Sequence, residues 1–97
     1  MYKIIILESV ELKIQEIYDY VYRFSFSSSK SLNIINTIYS SIYSLEIFPF
    51  RFQKYNNKYR VITVKNYRIF YKIVEENRTV IILDIFSCRE NYWEYLK

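Results

Sequence analysis

The stretch YRVITVKNYRIFYKIVEENRTVIILDIF, residues 59–86, decides the fold. In it β-branched and aromatic residues alternate with polar ones over three runs, Tyr59–Val64, Tyr67–Val74 and Thr79–Phe86, and each run reads as a strand. Lys65-Asn66 fits a two-residue hairpin loop, and Glu75-Glu76-Asn77-Arg78 a longer turn. If the first loop is only two residues, Val64 opposes Tyr67, and the register follows outward. Ile62 then pairs with Ile69 and Arg60 with Tyr71 on one face. Thr63 pairs with Arg68, Val61 with Phe70 and Tyr59 with Lys72 on the other. The face of Ile62, Val64, Tyr67 and Ile69 is the apolar one and is expected to be the core. Arg68 and Lys72 are therefore expected on the open face beside Phe70 and Tyr59, with Arg60 at the margin of the covered face. One extra loop residue or a bulge would reverse the relation between the strands.

Upstream of this stretch the period is helical. Tyr2 to Leu7 is apolar and β-branched enough for a buried strand. Ser9 is placed to cap a helix in which Val10, Ile14, Ile17, Tyr18 and Val21 share a face, with Glu8 and Glu11 at the end where the helix dipole favours anions. This helix is expected to run to about Phe24. The serine-rich run Ser25 to Ser31 reads as a plain turn. Leu32, Ile35, Ile38, Ile42 and Leu45 form the apolar stripe of a second helix, which Pro49 stops. Asn91 to Lys97 are expected to form a short terminal helix. The order β-α-α-β-β-β gives an α+β class: a helical hairpin packed on one face of a small twisted, mainly antiparallel sheet. Residues 1–97 are read as a single domain.

Composition narrows the chemistry. With one cysteine (Cys88) and no histidine, the chain cannot form an intrachain disulfide or the usual Cys/His zinc site. No metal site and no cofactor are expected. No apolar run approaches the roughly 18 residues of a membrane span, so a cytoplasmic protein without membrane partners is expected. The net charge of +4 is unevenly spread. Residues 51–72 carry Arg51, Lys54, Lys58, Arg60, Lys65, Arg68 and Lys72 with no acidic residue, whereas acidic groups outnumber basic ones on both sides. A local basic field interleaved with aromatics is the usual footprint of a polyanion site. Lysines guarding a sheet edge would produce the same pattern. The absence of glycine and the twelve tyrosines point to a coding bias, so a tyrosine is called functional only on a positional argument.

The order of elements, together with YRVITVKNYRIFYKIVEENRTVIILDIFSCR (residues 59–89), resembles the RelE/ParE superfamily of bacterial type II toxins. There Tyr-Arg-hydrophobic, Tyr-x-Ile-x-Tyr, Val-x-Ile and a closing Arg recur in this order. The likeness covers essentially the whole chain. It implies a small growth inhibitor made with a cognate antitoxin that neutralises it. Two activities occur in the superfamily: RelE-like members cut messenger RNA in the ribosomal A site, and ParE-like members poison DNA gyrase by binding.

Transferred residue by residue, the RelE pattern places its basic and proton-transfer groups at Arg60, Arg68, Arg89 and Tyr95, with Tyr92 as a second tyrosine candidate. Its second strand lysine falls on Ile62, a clear departure. Arginine keeps its proton, so Arg60, Arg68 and Arg89 would stabilise phosphate charge, and Tyr92 or Tyr95 would move the proton. Lys54, Lys58, Lys65 and Lys72 are the candidate nucleic-acid contacts. The leading expectation is a metal-independent, ribosome-dependent endoribonuclease with ribosome and mRNA as partners. The alternative is a gyrase poison that is not a nuclease. Under either, the basic field and the amphipathic helices predict an acidic antitoxin.

Overall fold

The two-residue loop closes the hairpin as the alternation requires. The computed structural model describes residues 1–88, and in it β2 (Arg60–Val64) and β3 (Tyr67–Val74) pair antiparallel. The register is Val64–Tyr67, Thr63–Arg68, Ile62–Ile69, Val61–Phe70 and Arg60–Tyr71. β4 (Thr79–Ser87) pairs antiparallel with the other side of β3, and β1 (Lys3–Ile6) runs parallel to β4, giving the sheet order β1-β4-β3-β2. Between β1 and β2 the chain forms α1 (Glu8–Ser25) and α2 (Ser28–Tyr43), and a 3-10 turn, Ser44–Glu46, follows.

Both helices lie on one face of the sheet. Val10 and Ile14 of α1 and Ile38 and Ile42 of α2 form a single buried cluster with Ile62, Val64, Ile69, Tyr71, Val80, Ile82 and Ile85. Every side chain in that cluster is less than a tenth exposed, and each large one contributes on the order of 2 kcal/mol of transfer free energy. Tyr67, expected in the core, is only half-buried at its edge. Between β3 and β4 the register shifts after Phe70: Phe70 opposes Asp84, whereas Tyr71 opposes Ile82. The extra residue on β4 lets Val80, Ile82 and Ile85 all face the core, which strict alternation would forbid.

Several boundaries differ from expectation for local reasons. α1 starts at Glu8 with Leu7 as N-cap, and no side chain caps it; Ser9 lies inside the first turn. The serine run is not a plain turn. Ser25 ends α1 with its hydroxyl donating to the Val21 carbonyl (2.6 Å). Ser27 caps α2 by accepting from the Lys30 amide (3.2 Å), and Ser28 to Ser31 belong to the helix. α2 ends at Tyr43, ahead of Pro49, and Leu45 is buried from the 3-10 turn. β2 begins at Arg60, one residue later than the alternation suggested. Asn91 to Lys97 lie outside the described residues.

Candidate functional site

Phe48, Pro49 and Phe50 lead from the 3-10 turn into an irregular loop, and two side chains of the sheet, Tyr71 and Arg60, bond to it. The Tyr71 hydroxyl, fully buried, donates to the Pro49 carbonyl (2.8 Å). The Arg60 guanidinium donates to the carbonyls of Phe52 (2.8 Å) and Phe50 (3.3 Å), and it lies 5.2 Å from the centre of the Phe50 ring. Burial pushes the Tyr71 pKa up to about 12, against the opposing pull of the Arg60 and Arg51 charges. Farther along the loop, the Asn56 carboxamide accepts from the amides of Lys58 (2.7 Å) and Tyr59 (2.9 Å). A short bridge pairs Lys54 with Arg60.

That loop brings Lys54, Lys58, Arg60 and Lys72 around one shallow depression of about 180 Å³ at the end of β2 and β3, with Tyr59 and Phe50 in its wall and Glu75 at its rim. Three of the four expected nucleic-acid contacts therefore converge, joined by one residue expected to be catalytic. The basin offers cations and two aromatic rings but holds one carboxylate of its own. It can take phosphate or carboxylate groups.

Arg68 is elsewhere. It opposes Thr63 on β2 and Phe86 on β4, so it sits on the face away from the helices, whereas Arg60 shares the helix-covered face with Tyr71. Along β3, Arg68 is four residues from Lys72, about 13 Å at strand rise. The Arg68 side chain is half-buried and its Nε fully so. Phe70, expected to lie open between Arg68 and Lys72, is fully buried, with the Tyr55 ring edge-on at 5.1 Å and the Phe86 ring at 5.9 Å. Ile62, the departure from the RelE pattern, is 2% exposed in the core. Lys65 is exposed in the hairpin turn with φ 54°. Cys88 is an exposed free thiol. Arg89, Tyr92 and Tyr95 lie outside the described residues.

A second concavity escaped the sequence reading. A groove of about 670 Å³ is lined by Lys13, Glu16, Ile17 and Tyr20 of α1 and by Asn66, Tyr67, Ile85, Ser87 and Cys88 at the end of the sheet. Burial, and then the neighbouring Tyr20, raise the Tyr67 pKa. At one wall Lys13 donates to Asp84 (2.7 Å) and lies 4.2 Å from the centre of the Phe86 ring. The sequence did carry a signal: Tyr20 and Phe24 are large and apolar, yet both fall off the helix's core stripe.

A family described as the ParE toxin of the type II toxin-antitoxin system, parDE, matches residues 4–92. No curated protein matches the sequence. Among solved structures, a chain of the chromosomal ParDE toxin-antitoxin system from P. aeruginosa superposes with TM-score 0.76 at 14% identity, covering 90% of this chain and 96% of that one. A chain of the RelBE2 toxin-antitoxin complex from Mycobacterium tuberculosis gives TM-score 0.68 at 15% identity, covering 89% and 96%. The isolated E. coli RelE toxin gives 0.63 at 11%, covering 99% and 95%. At such identities the superpositions establish the fold.

Proposed function

We propose, from the premise that this chain belongs to the ParE toxin family of type II toxin-antitoxin systems, that it stops growth in the cytoplasm by binding DNA gyrase and not by cutting RNA. The observation that carries this reading is the separation of Arg60 from Arg68. RNA cleavage without a metal requires cations and a proton-transfer group converging on one phosphate. Here the Arg60 guanidinium is engaged by two loop carbonyls on the helix-covered face, Arg68 rises from the opposite face, and a core isoleucine stands where the RelE pattern has a lysine. A binding toxin needs no such convergence. This reading reverses the order of the two mechanisms expected from the sequence.

Ribosome-dependent mRNA cleavage is the second reading, favoured by the basin itself. Lys54, Lys58 and Lys72 beside Tyr59 and Phe50 combine phosphate contacts with rings on which unpaired bases stack. Under both readings the partner that silences the toxin is a cognate antitoxin, and the basin suits carboxylates on an acidic segment of it.

Inducing the chain in cells and following transcripts and DNA separately tests the order. Trapped gyrase–DNA complexes or lost supercoiling with intact messages is the expected result; cleaved messages in a translating extract, with gyrase unaffected, would reverse it. Arg68→Ala is expected to reduce toxicity more than Lys97→Ala, with folding retained in both. Equal toxicity of the two variants would remove the open face from either mechanism.

A further inference from the structure

The distal half of α1 carries a stripe that complements itself. About Tyr20, Glu16 and Ile17 lie four and three residues before, and Arg23 and Phe24 three and four after. All five occur on adjoining parts of one helix surface, since residues three and four apart are neighbours. Tyr20 is 56% exposed and Phe24 69% exposed, and their rings already stack at 4.6 Å, tilted by 48°. Glu16 and Arg23 are exposed, and the ion pair among the described residues is Lys13–Asp84 alone. Ile17, half-buried, lines the groove with Ile85.

We infer that two copies of this chain associate through an antiparallel contact of α1 with its symmetry mate, the two-fold axis passing near Tyr20. An antiparallel mate reverses the order of the stripe. Each Phe24 then falls opposite Ile17 of the other copy and enters a groove of about 670 Å³, ample for a phenyl ring. Each Arg23 falls opposite Glu16, and the two Tyr20 rings meet at the axis. The contact is isologous, so the Phe24–Ile17 and Arg23–Glu16 pairs each occur twice. Charge selects the antiparallel sense on this stripe: Glu16 precedes Tyr20 and Arg23 follows it. A parallel mate would set like charges against each other. The second copy is therefore the occupant that this surface fits best: it supplies both the aromatic anchor and the complementary charge. The inference does not depend on which target the toxin has.

Sedimentation equilibrium of the purified chain over a concentration series tests this, with circular dichroism to confirm that each variant folds. The wild-type chain is expected to dimerise, and Phe24→Ala to weaken the association by about tenfold or more, as for an anchor residue. Glu16→Arg and Arg23→Glu singly are expected to favour the monomer, and the double variant to restore the dimer. In a Cys88→Ser background, Tyr20→Cys is expected to give a disulfide-linked dimer on mild oxidation. A wild-type chain that stays monomeric throughout the series would overturn the proposal. So would a folded double variant that fails to recover what the single charge reversals lose.

Discussion

At the residue scale, Tyr71 and Arg60 do structural work at positions where a basic aromatic motif suggests chemistry. The Tyr71 hydroxyl has no access to water and bonds the Pro49 carbonyl, so it fixes the point at which the irregular loop meets the sheet. Tyr71→Phe leaves that carbonyl without its donor and is expected to cost about 1–2 kcal/mol in denaturant unfolding. The pKa of about 12 also gives a pH signature. A tyrosine that ionises near pH 10 when unfolded holds its proton more tightly when folded. Its contribution is therefore complete below about pH 10 and disappears as pH rises towards 12, an amount of about 2–3 kcal/mol. Urea melts between pH 9 and 12 should show a steeper alkaline loss for the wild-type chain than for Tyr71→Phe; parallel losses would place the titrating group elsewhere.

At the element scale, the lack of glycine has a visible consequence. Phe26, Lys65 and Arg78 all adopt left-handed backbone, with φ of 52°, 54° and 48°, in the helical hairpin loop, the β2–β3 turn and the β3–β4 turn. A residue with a Cβ in that region costs about 1 kcal/mol. Lys65→Gly and Arg78→Gly are each expected to raise the thermal midpoint, by about 0.5–1 kcal/mol of stability once the extra freedom of the unfolded chain is set against the relief. A lowered midpoint for both would mean that the turns are held by side-chain contacts. Alternation and the two-residue loop made the β2–β3 register legible in advance, because both are local properties. The boundaries of α1 and α2 were less legible. Serine caps, turns and continues helices alike, and which role each of Ser25, Ser27 and Ser28 takes depends on where its hydroxyl finds a partner.

At the scale of the whole molecule, charge is sorted into distinct places. Lys54, Lys58, Arg60 and Lys72 gather at one end of the sheet, and Arg68 stands some four residues along β3 on the face away from the helices. An acidic antitoxin that reaches the basin should bind more weakly as salt rises, with most of the change in the association rate. Titration calorimetry and stopped-flow mixing at low and physiological ionic strength would check this, and an affinity indifferent to salt would locate the contact on apolar surface such as the α1 groove.

Sequence alone determined the class of fold, the order of its elements, the hairpin register and the sheet face that meets the helices, because period and loop length are set by neighbours along the chain. Only the tertiary structure decided that Arg60 is committed to loop carbonyls, that Phe70 is buried on the face expected to be open, and that Lys54 and Lys58 meet Lys72. Those outcomes depend on how an irregular loop without any period is anchored at Pro49 and Arg60. Contacts made by long side chains across such a loop follow from packing in three dimensions, which no spacing of residues encodes.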